Sequence, residues 1–170
     1  GLIPTATGTL MDHVLHECQE LKASVALVTN DRFFSTYTTW LQKNYPSLAV
    51  KILNDGAQTP EKRLGALGDI LFSIKQLGWE NEDLLVLPSD TYFAFSLQDF
   101  VRFATEENLF STVVRDMQDK SLIADRLGCP TIRDERIIAF VEKPSEPPTS
   151  MAAIPFYYYP KRVLPLIAEY

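Results

Sequence analysis

Short apolar segments alternate with helical patterns along residues 1–115, and this alternation limits the possible folds more than any other feature. Apolar residues recur at steps of three and four over 11–21, 33–45 and 64–77, and a further helix is predicted after Ser96, a predicted N-cap. Four segments are short, apolar and bounded by polar or turn residues, which is typical of buried strands: 25–29, 48–53, 84–87 and 111–114.

Strands that alternate with helices in this way form right-handed βαβ units and a parallel sheet that helices cover on both faces. We therefore predict an α/β chain with a three-layer α/β/α, Rossmann-like architecture and a mostly parallel sheet. The later strand-like segments 129–132, 137–141 and 156–159 have no long helix between them. They are predicted to be antiparallel or mixed additions to one edge of the sheet, before a last helix that starts near Lys161.

The length of 170 residues predicts a single domain spanning residues 1–170, because globular domains commonly have about 100–200 residues. The chain carries 22 acidic and 16 basic residues, for a formal net charge of -6. Sequence-independent nucleic-acid binding needs a basic face that replaces counterions, so we expect no nucleic-acid partner. No apolar run reaches the roughly 18 residues of a membrane span and no signal peptide is visible, so we expect no membrane partner.

Cysteine and histidine are scarce in the chain. Cys18 and Cys129 lie far apart in the sequence and form no CxxC pair, which indicates a reduced, cytoplasmic protein. His13 and His16 are the only histidines. A metal site must therefore use carboxylates, which favours a hard ion such as Mg²⁺.

Ligands of open α/β sheets bind beyond the carboxyl ends of the strands, so the residues that follow each strand are candidates for the site. Asn30 and Asp31 follow the strand at 25–29, where Asp31 is interpreted as a cap for the next helix. Asp90 follows the strand at 84–87. Its carboxylate either caps a turn or holds a divalent ion beside a phosphate-bearing ligand.

Several segments resemble, in order and at similar spacing, the motifs of the sugar-1-phosphate nucleotidyltransferases, in particular those of the glucose-1-phosphate thymidylyltransferase type. Residues 83–91 read DLLVLPSDT, which is similar to that family's strand and Gly-Asp-Thr turn. Residues 136–144 read RIIAFVEKP, which is similar to its strand ending in Glu-Lys-Pro. The stretches 2–4, 63–69 and 151–160 fall where the family has the residues after a Pro-Lys signature, a glycine-rich helix start and an aromatic strand.

The resemblance implies a nucleotidyltransferase fold and the transfer of a nucleotidyl group from a nucleoside triphosphate to a sugar 1-phosphate, releasing pyrophosphate and forming a nucleotide-sugar. It implies that Asp90 is catalytic and binds Mg²⁺, and that Lys143 is the catalytic cation that binds the sugar phosphate. Glu142 is implied to bind sugar hydroxyls, Gly128 to lie beside the sugar and Gly65 to approach the nucleotide base. Because both reactants are anionic, a metal ion and a cation are what such a site needs to bring them together.

The same residues also have structural interpretations. Glu142 and Lys143 can be a solvated charge pair, of the kind that contributes little to stability. Gly65 can serve a helix cap or turn instead of leaving room for a base. Gly128 can belong to a simple turn.

The chain departs from the family pattern in several places. The family's phosphate-binding Gly-x-Gly-Thr-Arg loop, its Pro-Lys lysine and its later Asp-x-Gly aspartate are absent from these 170 residues, and its Thr-Gly is Ile154-Pro155 here. We therefore expect a chain truncated at both ends that carries part of the catalytic set.

Three hypotheses about function stay open. The first is the enzyme itself, and the second is a related non-catalytic binding or regulatory module. The third is a glycosyltransferase of similar architecture, which would use an Asp-x-Asp turn where this chain has the single acid Asp90. An assembly of identical subunits is compatible with the first two.

Overall fold

The computed structural model describes residues 1–169. Its elements follow in chain order: β1 (Pro4–Thr5), β2 (Gly8–Thr9), α1 (Leu10–Glu20), β3 (Val25–Thr29), α2 (Asp31–Asn44), β4 (Val50–Asn54), α3 (Gly65–Leu77), β5 (Leu84–Val86), α4 (Leu97–Glu107), β6 (Ser111–Asp116), β7 (Cys129–Arg133), β8 (Arg136–Val141), β9 (Met151–Tyr159) and α5 (Leu164–Glu169). Short 3-10 helices lie at Pro60–Lys62, Lys120–Leu122 and Lys161–Val163. The chain thus has an α/β fold.

These elements divide into two compact units. We call residues 84–159 the C-terminal unit, and residues 2–83 together with those from Pro160 onward the N-terminal unit. Within residues 1–169, no helix combines the length and the apolar character that crossing a membrane requires.

The N-terminal unit is built on the parallel pair of strands β3 and β4, in register from Val25 opposite Val50 to Thr29 opposite Asn54. Each strand is adjacent in sequence to helices, as expected for a βαβ unit. A core cluster of Met11, Leu15 and Leu41 buries apolar surface between α1, α2 and the strands; Leu27, Val50, Ile52 and Trp40 are among the half-buried residues packed against it. Each fully buried side chain of this size stabilises the fold by about 1.5–3 kcal/mol.

Side chains cap the first two helices of the N-terminal unit, α1 and α2. The hydroxyl of Thr9 accepts a hydrogen bond from the amide of Asp12, whose carboxylate accepts one from the amide of Thr9 at 2.6 Å, so the two residues form a capping box. The side chain of Asn30 caps α2, so the expectation that Asp31 would cap it is wrong. Asp31 lies one residue inside the helix, and its carboxylate instead accepts a hydrogen bond from the side-chain amide of Asn54, at 2.9 Å.

The C-terminal unit contains a three-stranded sheet in the order β5-β9-β6 and a separate antiparallel ladder of β7 and β8. β9 runs antiparallel to both neighbours. Tyr157 of β9 therefore lies between Val86 of β5 and Thr112 of β6. Next to it, the pairing with β6 shifts, so that Pro155 and Phe156 are left without partners on β6. A proline has no amide hydrogen to donate, which makes this the position where a bulge costs least.

The two faces of β9 pack against different aromatic residues. Phe156 is fully buried and contacts the rings of Phe93 and Phe95, with centroids 4.9 and 5.1 Å away. On the opposite face, Tyr157 and Tyr159 contact the ring of Phe110, just before β6. The alternation follows from the period of two in a strand, which separates neighbouring side chains onto opposite faces.

The strand pairing contradicts the expected edge position of β9 and leaves the expected mostly parallel sheet unconfirmed. Within residues 1–169, β3 and β4 form the one parallel pair, and the other ladders are antiparallel, so the sheets are small and mixed. A mostly parallel, three-layer sheet is therefore not confirmed. β9 lies in the centre of its sheet, so the expectation that the later strands would all add at an edge is wrong for β9. The physical reason is that β9 is a long strand with buried residues along its length, and pairing on both sides satisfies its backbone groups.

Candidate functional site

The β7–β8 ladder brings Gly128 and Glu142 together. Cys129 is paired with Val141 at the end of this ladder, so the residues just beyond them, Gly128 and Glu142, are neighbours. A Cβ atom built on Gly128 would overlap the Phe140 ring and would lie only 3.1 Å from Oε2 of Glu142. Glycine is therefore the residue that lets the Phe140 ring and the Glu142 carboxylate approach this backbone.

Gly128 also connects the ladder to the central strand β9. Its carbonyl oxygen accepts a hydrogen bond from the amide of Ala153, at 2.9 Å. On the same strand, burial raises the pKa of the Tyr157 phenol, and the negative charge of Glu142 raises that pKa further. The carboxylate of Glu142 therefore lies beside the Gly128 backbone and acts electrostatically on the Tyr157 phenol, and carboxylate and phenol groups can contact the hydroxyls of a sugar.

Lys143 follows Glu142 directly and has an unusual backbone conformation. Its φ angle is +44°, in the left-handed region that non-glycine residues rarely adopt. Its Nζ atom lies 3.9 Å from Oε1 of Glu142, and both side chains are more than half exposed, at 59% and 65%. An exposed pair at this distance contributes little to stability, so both charged groups are available to a ligand. Strain of this kind, about 1–3 kcal/mol, is concentrated at functional sites in proteins.

Asp90 lies in the turn that follows β5, where its side chain is exposed. Its carboxylate accepts a long hydrogen bond from the hydroxyl of Thr91, at 3.4 Å. Within the part of the chain that the structure describes, no hydrogen bond or ion pair joins Asp90 to Glu142 or Lys143. The structure therefore brings together Gly128, Glu142 and Lys143. Asp90 belongs to the same unit but lies in the turn after β5.

No cluster of three or more His, Cys, Asp or Glu side chains in residues 1–169 could hold a metal ion. A Mg²⁺ ion does not need such a cluster, because it is commonly held by one or two carboxylates, by water and by the phosphate oxygens of the substrate. The exposed carboxylate of Asp90 has the donor chemistry for this kind of site. This single carboxylate suits a metal ion that is bound together with a nucleotide. It does not provide the several protein ligands that a permanently bound ion needs.

Gly65 belongs to the N-terminal unit, where it is the first residue of α3. Its φ angle is +76°, and a Cβ built on it would meet no atom within 4 Å. The preceding residue, Leu64, provides no side-chain hydrogen bond to the free amides of the helix. The start of α3 therefore combines uncapped amides with open space, a combination that suits an anionic or planar ligand.

Sequence reasoning missed two residues near these positions. The first is Tyr157, on which the charge of Glu142 acts. The aromatic run of β9 is the sequence signal that could have identified it. Asp69, one helical turn after Gly65, has a buried Oδ1 atom without a hydrogen-bond partner in residues 1–169. Burial raises the pKa of Asp69, and the charge of Asp55 raises it further. No local sequence signal distinguishes this aspartate from a solvated one.

A sequence model of the family described as Nucleotidyl transferase matches residues 1–170, which is the whole chain. The chain belongs to the nucleotidyl transferase family. This confirms the family expected from the motifs around Asp90 and Lys143. No curated protein sequence matches the chain.

Solved structures of other nucleotidyl transferases share the fold at low sequence identity. A protein from Bacillus anthracis described as a glucose-1-phosphate thymidylyltransferase, in complex with sucrose, superimposes with a TM-score of 0.80 at 18% identity, over 99% of this chain and 65% of that chain. A UDP-glucose pyrophosphorylase complexed with UDP-glucose gives a TM-score of 0.73 at 16% identity, over 99% of this chain and 70% of the other. The apo form of a UDP-glucose pyrophosphorylase gives 0.71 at 16% identity, over 99% and 71%.

These likenesses establish the fold of this nucleotidyl transferase and leave its substrates open. The 170 residues span slightly less than two thirds of the length of the Bacillus anthracis protein. The reaction, the substrates and the site residues are therefore matters for proposal.

Proposed function

We propose that the protein transfers a nucleotidyl group from a nucleoside triphosphate to a sugar 1-phosphate, forming a nucleotide-sugar and releasing pyrophosphate. The observation that carries this proposal is the convergence of Gly128, Glu142 and the strained Lys143 at the end of the β7–β8 ladder. A sugar phosphate presents both hydroxyls and a dianionic phosphate, and this site offers a carboxylate and a phenol for the former and an ammonium group for the latter. The names of the structural neighbours favour glucose 1-phosphate as the first acceptor to test.

The chemistry assigned to these residues is positioning and charge neutralisation. An oxygen of the sugar phosphate attacks the α-phosphorus of the triphosphate, the new P–O bond forms, and the bond between the α-phosphorus and the bridging oxygen breaks, releasing pyrophosphate. Lys143 binds the acceptor phosphate and lowers the repulsion between the two anionic reactants. Glu142 and Tyr157 hold sugar hydroxyls, which orients the attacking oxygen.

We assign Mg²⁺ binding to Asp90. When bound with a triphosphate, such an ion neutralises phosphate charge and orients the phosphate oxygens for displacement. The support for this assignment is the exposure of the Asp90 carboxylate at the carboxyl end of β5. At the start of α3, we assign the open space over Gly65 to the nucleotide.

The remaining parts of the proposal concern the domain organisation, the cellular environment and the partners. The family model spans both units, which supports a single nucleotidyltransferase domain. Cys18 and Cys129 are both free and buried, which supports a reducing, cytoplasmic environment. We expect no nucleic-acid partner, and light scattering would determine whether the subunits assemble.

A non-catalytic binding or regulatory module is the second candidate. The observation in its favour is that Gly128, Glu142 and Lys143 lie together, whereas within residues 1–169 no hydrogen bond or ion pair joins Glu142 or Lys143 to Asp90. A module of this kind would bind a sugar phosphate or nucleotide-sugar at the Glu142–Lys143 site without turnover.

The deciding experiment measures pyrophosphate release from glucose 1-phosphate with deoxythymidine, uridine, adenosine, guanosine and cytidine triphosphates, with and without Mg²⁺. The enzyme proposal predicts release with at least one triphosphate, dependent on Mg²⁺ and reduced at least a hundredfold in Asp90→Asn, because removal of one charge-stabilising group commonly costs about 10²–10³ in kcat. Unchanged release in Asp90→Asn would remove this residue from the mechanism. Binding of glucose 1-phosphate without any release would favour the binding module.

A further inference from the structure

We propose that Lys120 is a positioning residue that holds Lys143 in place for the acceptor phosphate, an inference that rests on the function proposed above. Lys120 lies in a separate loop between β6 and β7 and is exposed. Its ammonium group donates a hydrogen bond to the carbonyl oxygen of Pro148, at 2.9 Å. This bond holds the segment that follows Lys143. We call it, together with the hydrogen bond from the Asp125 amide to the Pro144 carbonyl, the clamp.

The segment that the clamp holds is short and stiff. We call residues 144–148, which read PSEPP, the proline loop. Three of its five residues are proline, so most of its φ angles are fixed by the pyrrolidine rings. A restraint at one end of such a segment is transmitted to the other end, because few torsions remain that can absorb a displacement.

The two ends of the proline loop are hydrogen-bonded to the same neighbouring segment. At the first end, the amide of Asp125 donates to the carbonyl oxygen of Pro144, at 3.0 Å. At the second end, Lys120 donates to Pro148. Lys143 directly precedes this clamped loop and has the φ angle of +44° that needs external support.

The segment that supplies both donors is itself anchored in the core. Ile123 lies between Lys120 and Asp125 and is fully buried in a cluster with Cys129 and Ala152. Asp119 caps the 3-10 helix that begins at Lys120, because its carboxylate accepts the amide hydrogen of Ser121 at 2.8 Å. Lys120 therefore reaches the proline loop from a fixed base.

Lys120 is the member of this clamp that can be tested without altering the backbone. The Asp125 donor is a main-chain amide, and Asp125 itself has a positive φ angle of 58°, so substitutions there would change the local conformation. Lys120→Met keeps the apolar stem of the side chain and removes only the donor. Because an exposed hydrogen bond contributes little to global stability, the variant is expected to fold normally.

The test compares Lys120→Met, Lys120→Arg and a control, Lys75→Met, on the exposed surface of α3. Calorimetric titration of each variant with glucose 1-phosphate and, separately, with a nucleoside triphosphate gives the two dissociation constants. We expect Lys120→Met to weaken glucose 1-phosphate binding by about threefold to tenfold, because a smaller fraction of the protein then has Lys143 in the binding conformation, and to leave triphosphate binding unchanged. Lys120→Arg keeps a cationic donor and should retain most of the wild-type affinity, and Lys75→Met should equal the wild type.

A structural readout tests the clamp independently of binding. Amide hydrogen exchange at Asp125 should be faster in Lys120→Met than in the wild type, because the proline loop that accepts this amide loses its side-chain bond at Pro148, while the next residue, Thr149, stays bonded to Pro130. Unchanged exchange together with unchanged affinity for glucose 1-phosphate would overturn the positioning role. Equal weakening for both ligands would also overturn it, because a general disturbance would then explain the effect.

The failure of this inference is distinguishable from the failure of the proposed function. If Lys143→Ala weakens glucose 1-phosphate binding and Lys120→Met does not, the positioning role alone is wrong. If Lys143→Ala leaves the affinity unchanged, the acceptor site itself is wrong, and the positioning role falls with it.

Discussion

The start of α3 and the end of the β7–β8 ladder both contain a glycine that we assign to substrate binding, yet the surroundings of the two glycines are opposite. At Gly65 the backbone has a φ angle of +76° and a Cβ would meet no atom within 4 Å. At Gly128 a Cβ would overlap the Phe140 ring and approach the Glu142 carboxylate. Glycine is thus needed for its backbone freedom in the first region and for its small volume in the second.

The two regions also differ in how they are held. In the N-terminal unit, the first turn of α3 has no side-chain cap, and one turn later the buried Oδ1 of Asp69 has no partner in residues 1–169. In the C-terminal unit, hydrogen bonds fix Gly128 to β9 and fix the residues after Lys143 to a neighbouring loop. The proposed acceptor site is thus held by hydrogen bonds within the protein, whereas the proposed nucleotide region leaves polar groups for a ligand to satisfy.

The largest expected effect comes from replacing the strained residue of the preformed region. Lys143→Gly should weaken glucose 1-phosphate binding about tenfold to a hundredfold, because it removes a charge-assisted hydrogen bond of about 1.5–3 kcal/mol. It should not lower the free energy of unfolding, because glycine adopts the φ angle of +44° without strain. Calorimetry and urea denaturation measure the two quantities on the same protein.

The control for this prediction is Glu135→Gly, in the two-residue turn between β7 and β8. Glu135 also has a positive φ angle, of 59°, and we assign it no contact with substrate. Glu135→Gly should raise the free energy of unfolding by about 1 kcal/mol and leave binding unchanged, because left-handed backbone costs a non-glycine residue about that much. A marked loss of stability in Lys143→Gly would contradict the strain argument at the site.

Alanine and asparagine substitutions at the two glycines should rank in opposite order by their loss in the free energy of unfolding. Gly65→Ala should lower the free energy of unfolding by about 1–2 kcal/mol, and Gly65→Asn by less, because asparagine tolerates the left-handed conformation better. At Gly128 the larger asparagine should be worse than alanine, since overpacking costs about 1–3 kcal/mol and increases with volume. Urea denaturation of the four variants provides the comparison. The same order of alanine and asparagine at both positions would disprove the distinction between the two regions.

The smallest expected effect concerns Asp69 and depends on pH. Burial and the charge of Asp55 raise the pKa of Asp69, so the folded state holds its proton more tightly than the unfolded state does. The contribution of such a group to stability is fully present below its unfolded pKa and is lost as the pH rises through its folded pKa. Asp69→Asn should therefore raise the free energy of unfolding at pH 7, and the gain should shrink as the pH falls through the raised folded-state pKa and vanish below the unfolded-state pKa of about 3.9. A gain that is equal at both pH values would point to a cause other than charge.

The parts of the fold that local sequence determines could be predicted. β3 has the bounds that its apolar run indicated, and α3 differs from its predicted range by a single residue. Ser96 caps α4 as predicted, accepting a hydrogen bond from the amide of Asp99 at 3.1 Å. Periodicity and capping act over a few residues, so their signals are complete within a short stretch of sequence.

The parts that depend on distant partners could not be predicted. The central position of β9 depends on which strands pair with it across the sheet, and no pattern within residues 151–159 specifies those partners. The φ angle of Lys143 is contrary to the preference of lysine, and no local sequence pattern indicates it. Likewise, the effect of the Glu142 charge on Tyr157 links two separate ladders, and no local pattern indicates it.

The central claim is that Gly128, Glu142 and Lys143 form the acceptor site, and a crystal structure of the protein with glucose 1-phosphate tests it most directly. The account predicts the phosphate within about 4 Å of Nζ of Lys143, the distance of an ion pair, with the sugar against the backbone of Gly128 and its hydroxyls on Glu142. Ligand density in the C-terminal unit without contact to these residues, or density only at the start of α3, would contradict it.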